Sequence, residues 1–190
     1  MYTHDWYENG ACEKLILLAE LVKNQKGHYV EIGPWEGRTT IEICKAIEPQ
    51  VLMCVDRWKG FIHESEACGY EHKTVTTAKS QNVKNVFISN MKKNVCENYR
   101  VLEYDPIELG VFFKSPLKFI HLNADNSYGF VKSVISMYLP NLLRGGVICG
   151  YHFKTAGTHR TDLGGGVEKA VNELIPDRMV YGDLWWWQKN

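Results

Sequence analysis

Apolar positions along this 190-residue chain fall into two alternating patterns, helical spacings and short continuous runs. Leu15, Leu18, Ala19 and Val22 lie at i, i+3, i+4 and i+7, which predicts an amphipathic helix within 11–23. Gly27 is its stop signal, and the run His28–Ile32 reads as a short buried strand. After a loop at Gly33–Arg38, the residues Thr40, Ile43, Cys44 and Ile47 repeat the helical spacing, and Val51–Val55 is a second apolar strand ending at Asp56. Residues 57–98 carry the weakest pattern, polar and aromatic at first and then helical between Lys73 and Lys93. Tyr99–Glu103 reads as a strand, Ile107–Phe113 as a short helix and Phe119–Ala124 as the next strand. Val131, Val134, Ile135 and Tyr138 mark a helix that ends before Pro140. The Gly145-Gly146 turn precedes a strand at Val147–Tyr151, and Val167, Ala170, Val171 and Leu174 give a last helix. Arg178–Tyr181 and Leu184–Gln188 then form two strands across Gly182-Asp183, a pair suited to a two-residue hairpin loop.

Strands that are continuous apolar runs and alternate with helices predict a mostly parallel, doubly wound α/β sheet covered on both faces, with the hairpin adding one antiparallel strand at or near an edge. No repeat, low-complexity tract or long linker interrupts residues 1–190, so the expectation is one domain. In such sheets a ligand lies across the carboxyl ends of the strands where strand order reverses. The residues that follow each strand are therefore the candidates for chemistry.

Composition narrows the function classes. Twenty-two basic residues balance twenty-two acidic ones, so the electrostatic footprint of a protein gripping a phosphate backbone is absent and a nucleic-acid partner is not expected. The apolar stretches, such as Leu15–Ala19, are too short to span a bilayer, so no membrane partner is expected either. The six cysteines contain no CxxC pair, and Cys44, Cys54 and Cys149 sit in apolar runs. Together with the lack of a secretory pattern at the start, this reads as a soluble, cytoplasmic protein with free thiols.

The loop Tyr29-Val-Glu-Ile-Gly33-Pro-Trp-Glu-Gly37-Arg-Thr-Thr40 follows the first strand. A glycine directly after a strand lets a ligand approach the backbone, and the second eases entry into the helix, whose N-terminus offers free N–H groups. A dinucleotide fingerprint would place glycine at position 35, where Trp35 stands instead. Glu31 suggests a ligand with a positive charge, such as an amino group or a sulfonium. Asp56 is placed to accept hydrogen bonds from ribose hydroxyls, a device common to nicotinamide and adenosylmethionine enzymes. Trp58 has two readings, stacking on an adenine or packing in the core. Tyr104-Asp105, after the third strand, is placed to meet the adenine edge.

The fourth and fifth strands end in Asn123-Ala-Asp125-Asn-Ser-Tyr128 and Tyr151-His152-Phe153, which would face one crevice. Asp125 and His152 can act as a general base with an orienting carboxylate, as two ligands of a divalent metal, or merely as strand caps.

With these residues in place the sequence resembles the class I S-adenosylmethionine-dependent methyltransferases. It is most similar to a small group reading roughly VEIGxxxGxST, VDxWxG, IDGDHSY and LKPGGxxxGHDY. The counterparts here are Val30–Thr40, Val55–Gly60, Leu122–Tyr128 and Leu142–Phe153, and Leu184-Trp-Trp-Trp-Gln-Lys is similar to that group's final strand. The resemblance spans nearly the whole chain. It implies a Rossmann-like sheet of seven strands with the last antiparallel, adenosylmethionine as cofactor, the methionine part held by Glu31, Gly33 and Gly37, and the ribose by Asp56. The expected cofactor site thus takes Glu31, Gly33, Pro34, Trp35, Gly37 and Thr39 from the first loop, Asp56, Arg57 and Trp58 from the second, and Tyr104, Asp105 and Asn123 from later strand ends. Related O-methyltransferases often bind a divalent cation after the fourth and fifth strands. Here Asn123 replaces an Asp, Asn126 replaces the His, and Tyr151-His152 stands where His-Asp is common. An amide coordinates magnesium more weakly than a carboxylate, so the expected catalytic set is His152, Asp125 and Asn126 without a metal.

The expected reaction is in-line methyl transfer to a small-molecule acceptor, with His152 taking the acceptor's proton and the protein aligning the two partners. Oxygen is preferred to nitrogen through the resemblance alone. With no large insertion to cap the site, the acceptor pocket must come from the loops 57–72 and 152–166 or from a second subunit, as in a homodimer. His63, Cys68 and His72 match no zinc spacing and read as part of a loop or lid. The segment from His159-Arg160 to Gly164-Gly-Gly166 would permit a mobile flap, Asp5-Trp6-Tyr7 could fold over the cofactor, and Trp185–Trp187 alternates core with a subunit contact or substrate wall. Two rivals stand beside this reading: a nicotinamide-dependent oxidoreductase, against which Trp35 counts, and an inactive nucleoside-binding module, which Asn123 and Asn126 favour.

Overall fold

In a computed structural model, which describes Tyr2 and residues 11–69, 71–153 and 165–190, the apolar runs become strands and the helical spacings become the layers around them. The order is α1 (Ala11–Leu21), β1 (His28–Ile32), α2 (Arg38–Ile47), β2 (Leu52–Val55), α3 (Ile62–Cys68), α4 (Lys73–Ser80), α5 (Val83–Lys93), β3 (Tyr99–Leu102), α6 (Pro106–Phe112), β4 (Leu117–Leu122), α7 (Tyr128–Tyr138), β5 (Leu142–Gly150), α8 (Gly166–Leu174), β6 (Met179–Tyr181) and β7 (Leu184–Gln188). The seven strands form one sheet in the order β3-β2-β1-β4-β5-β7-β6. All neighbours from β3 to β5 pair in parallel, and β7 lies antiparallel between β5 and β6. This is the Rossmann-like arrangement expected, and strand order reverses between β1 and β4.

Burial explains which strands read most clearly. β4 is buried at every position and β1 at all but its first, because helices cover both faces. One face packs on α1, α2 and α5 through Leu15, Leu18, Ile43, Ile47 and Phe87, with Tyr29, Cys54 and Phe119 from the strands. The other packs on α7 and α8 through Val131, Ile135, Tyr138, Ala170 and Val171, with Val30, Ile32 and Ile120. Successive residues of a strand alternate between the two layers, so Glu31 and His121 lie on the α2 side with Tyr29 and Phe119. The edge strands β3 and β6 are only partly buried.

The structure differs from the sequence reading at three places. β5 begins at Leu142 rather than Val147, because Gly145, at φ 77°, sits in an irregularity of the strand instead of a turn before it; Leu117 pairs with Leu142 and Phe119 with Val147. The helical stretch expected between Lys73 and Lys93 divides into two, with Asn82 capping the second through its side chain, which accepts from the Asn85 N–H. Part of the expected 57–72 loop is helical, as α3. The His159-Arg160 segment, Gly164 and Asp5-Trp6-Tyr7 lie outside the described residues. Among the described residues no helix is long and apolar enough to cross a membrane.

Candidate active site

The reversal between β1 and β4 leaves a cleft at the carboxyl ends of the strands, open to solvent. β1 and β2 are adjacent, with Ile32 opposite Val55, so the residues that follow them, Gly33 and Asp56, line the same cleft. Gly33 is at φ 84°, and a Cβ there would lie 2.3 Å from the Asn123 carbonyl oxygen. Its N–H donates to the Val55 carbonyl, and the Asn123 N–H donates to the Ile32 carbonyl. The glycine thus lets the tips of β1, β2 and β4 interlock, besides baring the backbone to the cleft.

The Asp56 carboxylate accepts the Trp58 N–H at 2.7 Å and the Trp35 N–H at 3.3 Å. Burial is the main influence on it and pushes its pKa up to about 6, against the backbone N–H groups of Trp58, Trp35 and Arg57 and the Arg57 charge. These N–H groups use only part of a carboxylate's acceptor capacity, so Asp56 can still take hydroxyl donors from the cleft. Arg57 lines the cleft while its guanidinium pairs with Asp105 at 2.7 Å.

Across the cleft, β4 is followed by Asn123, Ala124 and Asp125, and β5 by His152. Asp125 accepts the Ser127 N–H at 3.0 Å, a turn that fixes the carboxyl at the entrance to α7. His152 has φ 65°. Its backbone N–H donates to Asp183 Oδ2 at 3.1 Å, and its Nδ1 lies 3.5 Å from the same oxygen. Burial pushes its pKa below the usual 6.5, while the Asp183 charge works in the opposite direction. The orienting carboxylate read as Asp125 therefore has a different occupant beside the ring. Local pattern places Asp183 in the hairpin turn and carries no sign of this pairing, because it is antiparallel β7 that returns the turn to the end of β5, where Gly150 pairs with Trp185.

Several expected cofactor residues lie outside the lining. Glu31 is fully buried: Thr39 Oγ1 donates to its Oε1 at 2.6 Å, Thr40 Oγ1 to its Oε2 at 2.5 Å, and His121 Nδ1 lies 3.1 Å from Oε1. Glu31 and Thr39 thus brace the start of α2 from beneath rather than facing the cleft. Gly37 is the left-handed N-cap residue of α2, where a Cβ would press on Phe87, and buried Pro34 accepts its N–H. Trp58 takes the core reading: it is buried against Phe87 and donates its indole N–H to the Trp35 carbonyl at 2.8 Å. Tyr104 is largely exposed, and Asp105 caps α6 by accepting the Ile107 N–H. Asn126 is likewise absent from the lining, and its carbonyl packs where a side chain on Gly166 would stand.

The cleft also takes Gly60, Phe61 and His63 from the 57–72 segment expected to contribute to the acceptor pocket, and Thr74, Pro106 and Phe130, which no local pattern singled out. His63 lines the cleft, and His72 is the N-cap of α4. Cys68 ends α3, and its side chain is outside the description. Among the described residues no group of three His, Cys, Asp or Glu side chains is arranged to hold a metal ion.

A family model described as a methyltransferase domain matches residues 30–150, from β1 to the end of β5. Among solved structures, the chain is similar to the O-methyltransferase NovP, with a TM-score of 0.71 and 16% identity over 94% of this chain and 79% of that one. It is also similar to CalS11, a calicheamicin methyltransferase, with a TM-score of 0.67 and 13% identity over 93% and 77% of the two chains. A third similar structure, SMU.1697c from Streptococcus mutans in complex with SAH, has a TM-score of 0.65 and 10% identity over 97% of this chain and 100% of that one. No curated protein matches the sequence.

Proposed function

We propose that this chain, which belongs to the class I S-adenosylmethionine-dependent methyltransferase family, methylates an oxygen of a small-molecule acceptor. The observation that carries the reading is a single cleft with Gly33 and Asp56 on one side and a His152–Asp183 pair on the other.

The chain's own residues fit the cofactor. Asp56 supplies an anionic acceptor for a pair of ribose hydroxyls, Gly33 exposes backbone where the methionine part would lie, and Arg57, Trp35 and Asn123 complete that half of the wall. Glu31 acts at one remove, holding Thr39, Thr40 and thereby the loop between Gly33 and Gly37 in place. Bound adenosylmethionine supplies an electrophilic methyl group, which the acceptor oxygen takes as the carbon–sulfur pair returns to sulfur and leaves a neutral thioether.

The protein's part is alignment and proton removal. A His152 pKa below 6.5 keeps the imidazole neutral near pH 7, and only the neutral ring can accept the acceptor's proton. Asp183, beside Nδ1, favours the tautomer with Nε2 unprotonated and stabilises the imidazolium once formed. Asp125 closes the wall between β4 and α7 and is positioned to orient the acceptor.

Calorimetric titration with S-adenosylmethionine, S-adenosylhomocysteine and NAD tests the first half of this reading. Saturable binding of the first two is expected, with no binding of NAD, and the reverse would reject it. Methyl transfer from labelled adenosylmethionine across a panel of hydroxyl and amine acceptors tests the second half; exclusive N-methylation would overturn the oxygen assignment.

A further inference from the structure

Resting on the methyltransferase reading above, we infer that the acceptor half of the cleft is built for a planar aromatic hydroxyl, a phenol, held between Phe61 and Phe130 with His63 as its polar contact. Besides Gly33 and Asp56, the cleft is lined by Phe61, His63 and Phe130 together with Asp125 and His152. Phe130 comes from α7 and is almost fully buried, and the His63 ring lies 5.4 Å from it, tilted by 32°. Phe61 stacks on His72 at 5.0 Å and 16°, so that one face is covered and the other face and edge are left to meet the cleft.

This wall is held rigidly. The Phe61 N–H donates to Thr74 Oγ1 at 2.8 Å, the Phe61 carbonyl accepts from Ser65 Oγ at 2.8 Å, and Ser65 Oγ accepts the His72 N–H at 2.9 Å. Gly60, at φ 79°, lies so close to α4 that a Cβ would come within 2.5 Å of the Thr74–Val75 backbone. A preset aromatic surface binds a flat ring at little cost in ordering.

The polar groups point the same way. A sugar brings several hydroxyls, each needing a partner when buried. Here Thr74 Oγ1 is already used by Phe61 and His72, and Arg57 is paired with Asp105. His63 Nε2 is buried and has no hydrogen-bond partner among the described residues, while its Nδ1 lies 3.8 Å from Glu66. It is available to bond a hydroxyl in the cleft. The acidity of the acceptor matters too. The burial that lowers the basicity of His152 suits a phenol, whose proton dissociates near pH 10, better than an alkyl hydroxyl, whose acidity is close to that of water at about 15.7.

The test uses 2-naphthol and methyl glucoside as probes on the intact protein saturated with S-adenosylhomocysteine. Saturation of S-adenosylhomocysteine binding is measured first, so that failure of the cofactor reading is seen separately from failure of this one. Binding of 2-naphthol is expected, weakened roughly three- to twelvefold by Phe61→Ala and by a similar factor in His63→Ala, with S-adenosylhomocysteine affinity unchanged in both. Phe61→Tyr, which keeps the ring, should restore most of the loss. Stronger binding of methyl glucoside, no binding of 2-naphthol to a protein that holds S-adenosylhomocysteine, or equal 2-naphthol affinity in the wild type and both alanine variants would overturn the inference.

Discussion

Asp56 and His152 both lose function in acid, but at different steps. Ribose hydroxyls donate to the ionised Asp56 carboxylate, so protonation near pH 6 opposes binding. Affinity for S-adenosylhomocysteine should therefore fall by up to about tenfold per unit below pH 6. Calorimetry from pH 5 to 8 should show this slope in the wild type and none in Asp56→Asn, whose affinity at pH 7 should already be lower by about 1.5–3 kcal/mol, the worth of hydrogen bonds to a charged group. His152 acts on turnover. His152→Ala should reduce kcat by roughly 10²–10⁴ while leaving S-adenosylhomocysteine affinity within about twofold. The Asp183 charge raises the His152 pKa, so Asp183→Asn should move the acid limb of kcat to lower pH; a limb that stays in place would remove Asp183 from the pair. Of these residues, Asp56 and His152 were legible as polar residues directly following apolar strands. Asp183 was not, because its role comes from β7 running back beside β5.

At the scale of elements, the loop between β1 and α2 shows how one sequence signal can serve two purposes. Glycine at 33 reads as access for a ligand, yet its Cβ position is also occupied by the β4 backbone. Gly33→Ala should destabilise the fold by about 1–3 kcal/mol through the strained φ and the clash, measured by urea denaturation, besides weakening cofactor binding. If stability is unchanged, the strand tips are not interlocked as described. Glu31 is the opposite case. As an acidic residue next to a glycine it reads as a ligand contact, but β1 alternation turns its side chain toward α2, where Thr39, Thr40 and His121 surround it. Side-chain parity along a strand was readable from sequence; what would lie above that face was not. The polar stretch after Asp56 resisted reading for a related reason. α4 buries only Thr74 and Val75, and none of the described side chains of α3 is buried, so the periodicity that burial imposes on α1, α2 and α7 is weak there.

For the whole molecule, a cofactor that bridges the tips of β1, β2 and β4 should couple binding to global stability. At 100 times its Kd, S-adenosylhomocysteine should stabilise the protein by about 2.7 kcal/mol, which for a chain of this size is a rise in Tm of about 5–10 °C. NAD at equal concentration should give none, and thermal denaturation followed by circular dichroism distinguishes the two. The sequence by itself determined the architecture and half of the cleft. A strand buried on both faces must be an unbroken apolar run, a helix covering it must be amphipathic, and a doubly wound sheet places its ligand at the strand ends, so the neighbourhood of Gly33, Asp56, Asn123 and His152 follows from local pattern. Tertiary structure alone decided which side chains face the ligand and which support it. The burial of Glu31 and Trp58, the pairing of Asp183 with His152 and the convergence of Phe61, His63 and Phe130 all depend on contacts between elements distant along the chain, and local periodicity carries no information about the partner that packs against it.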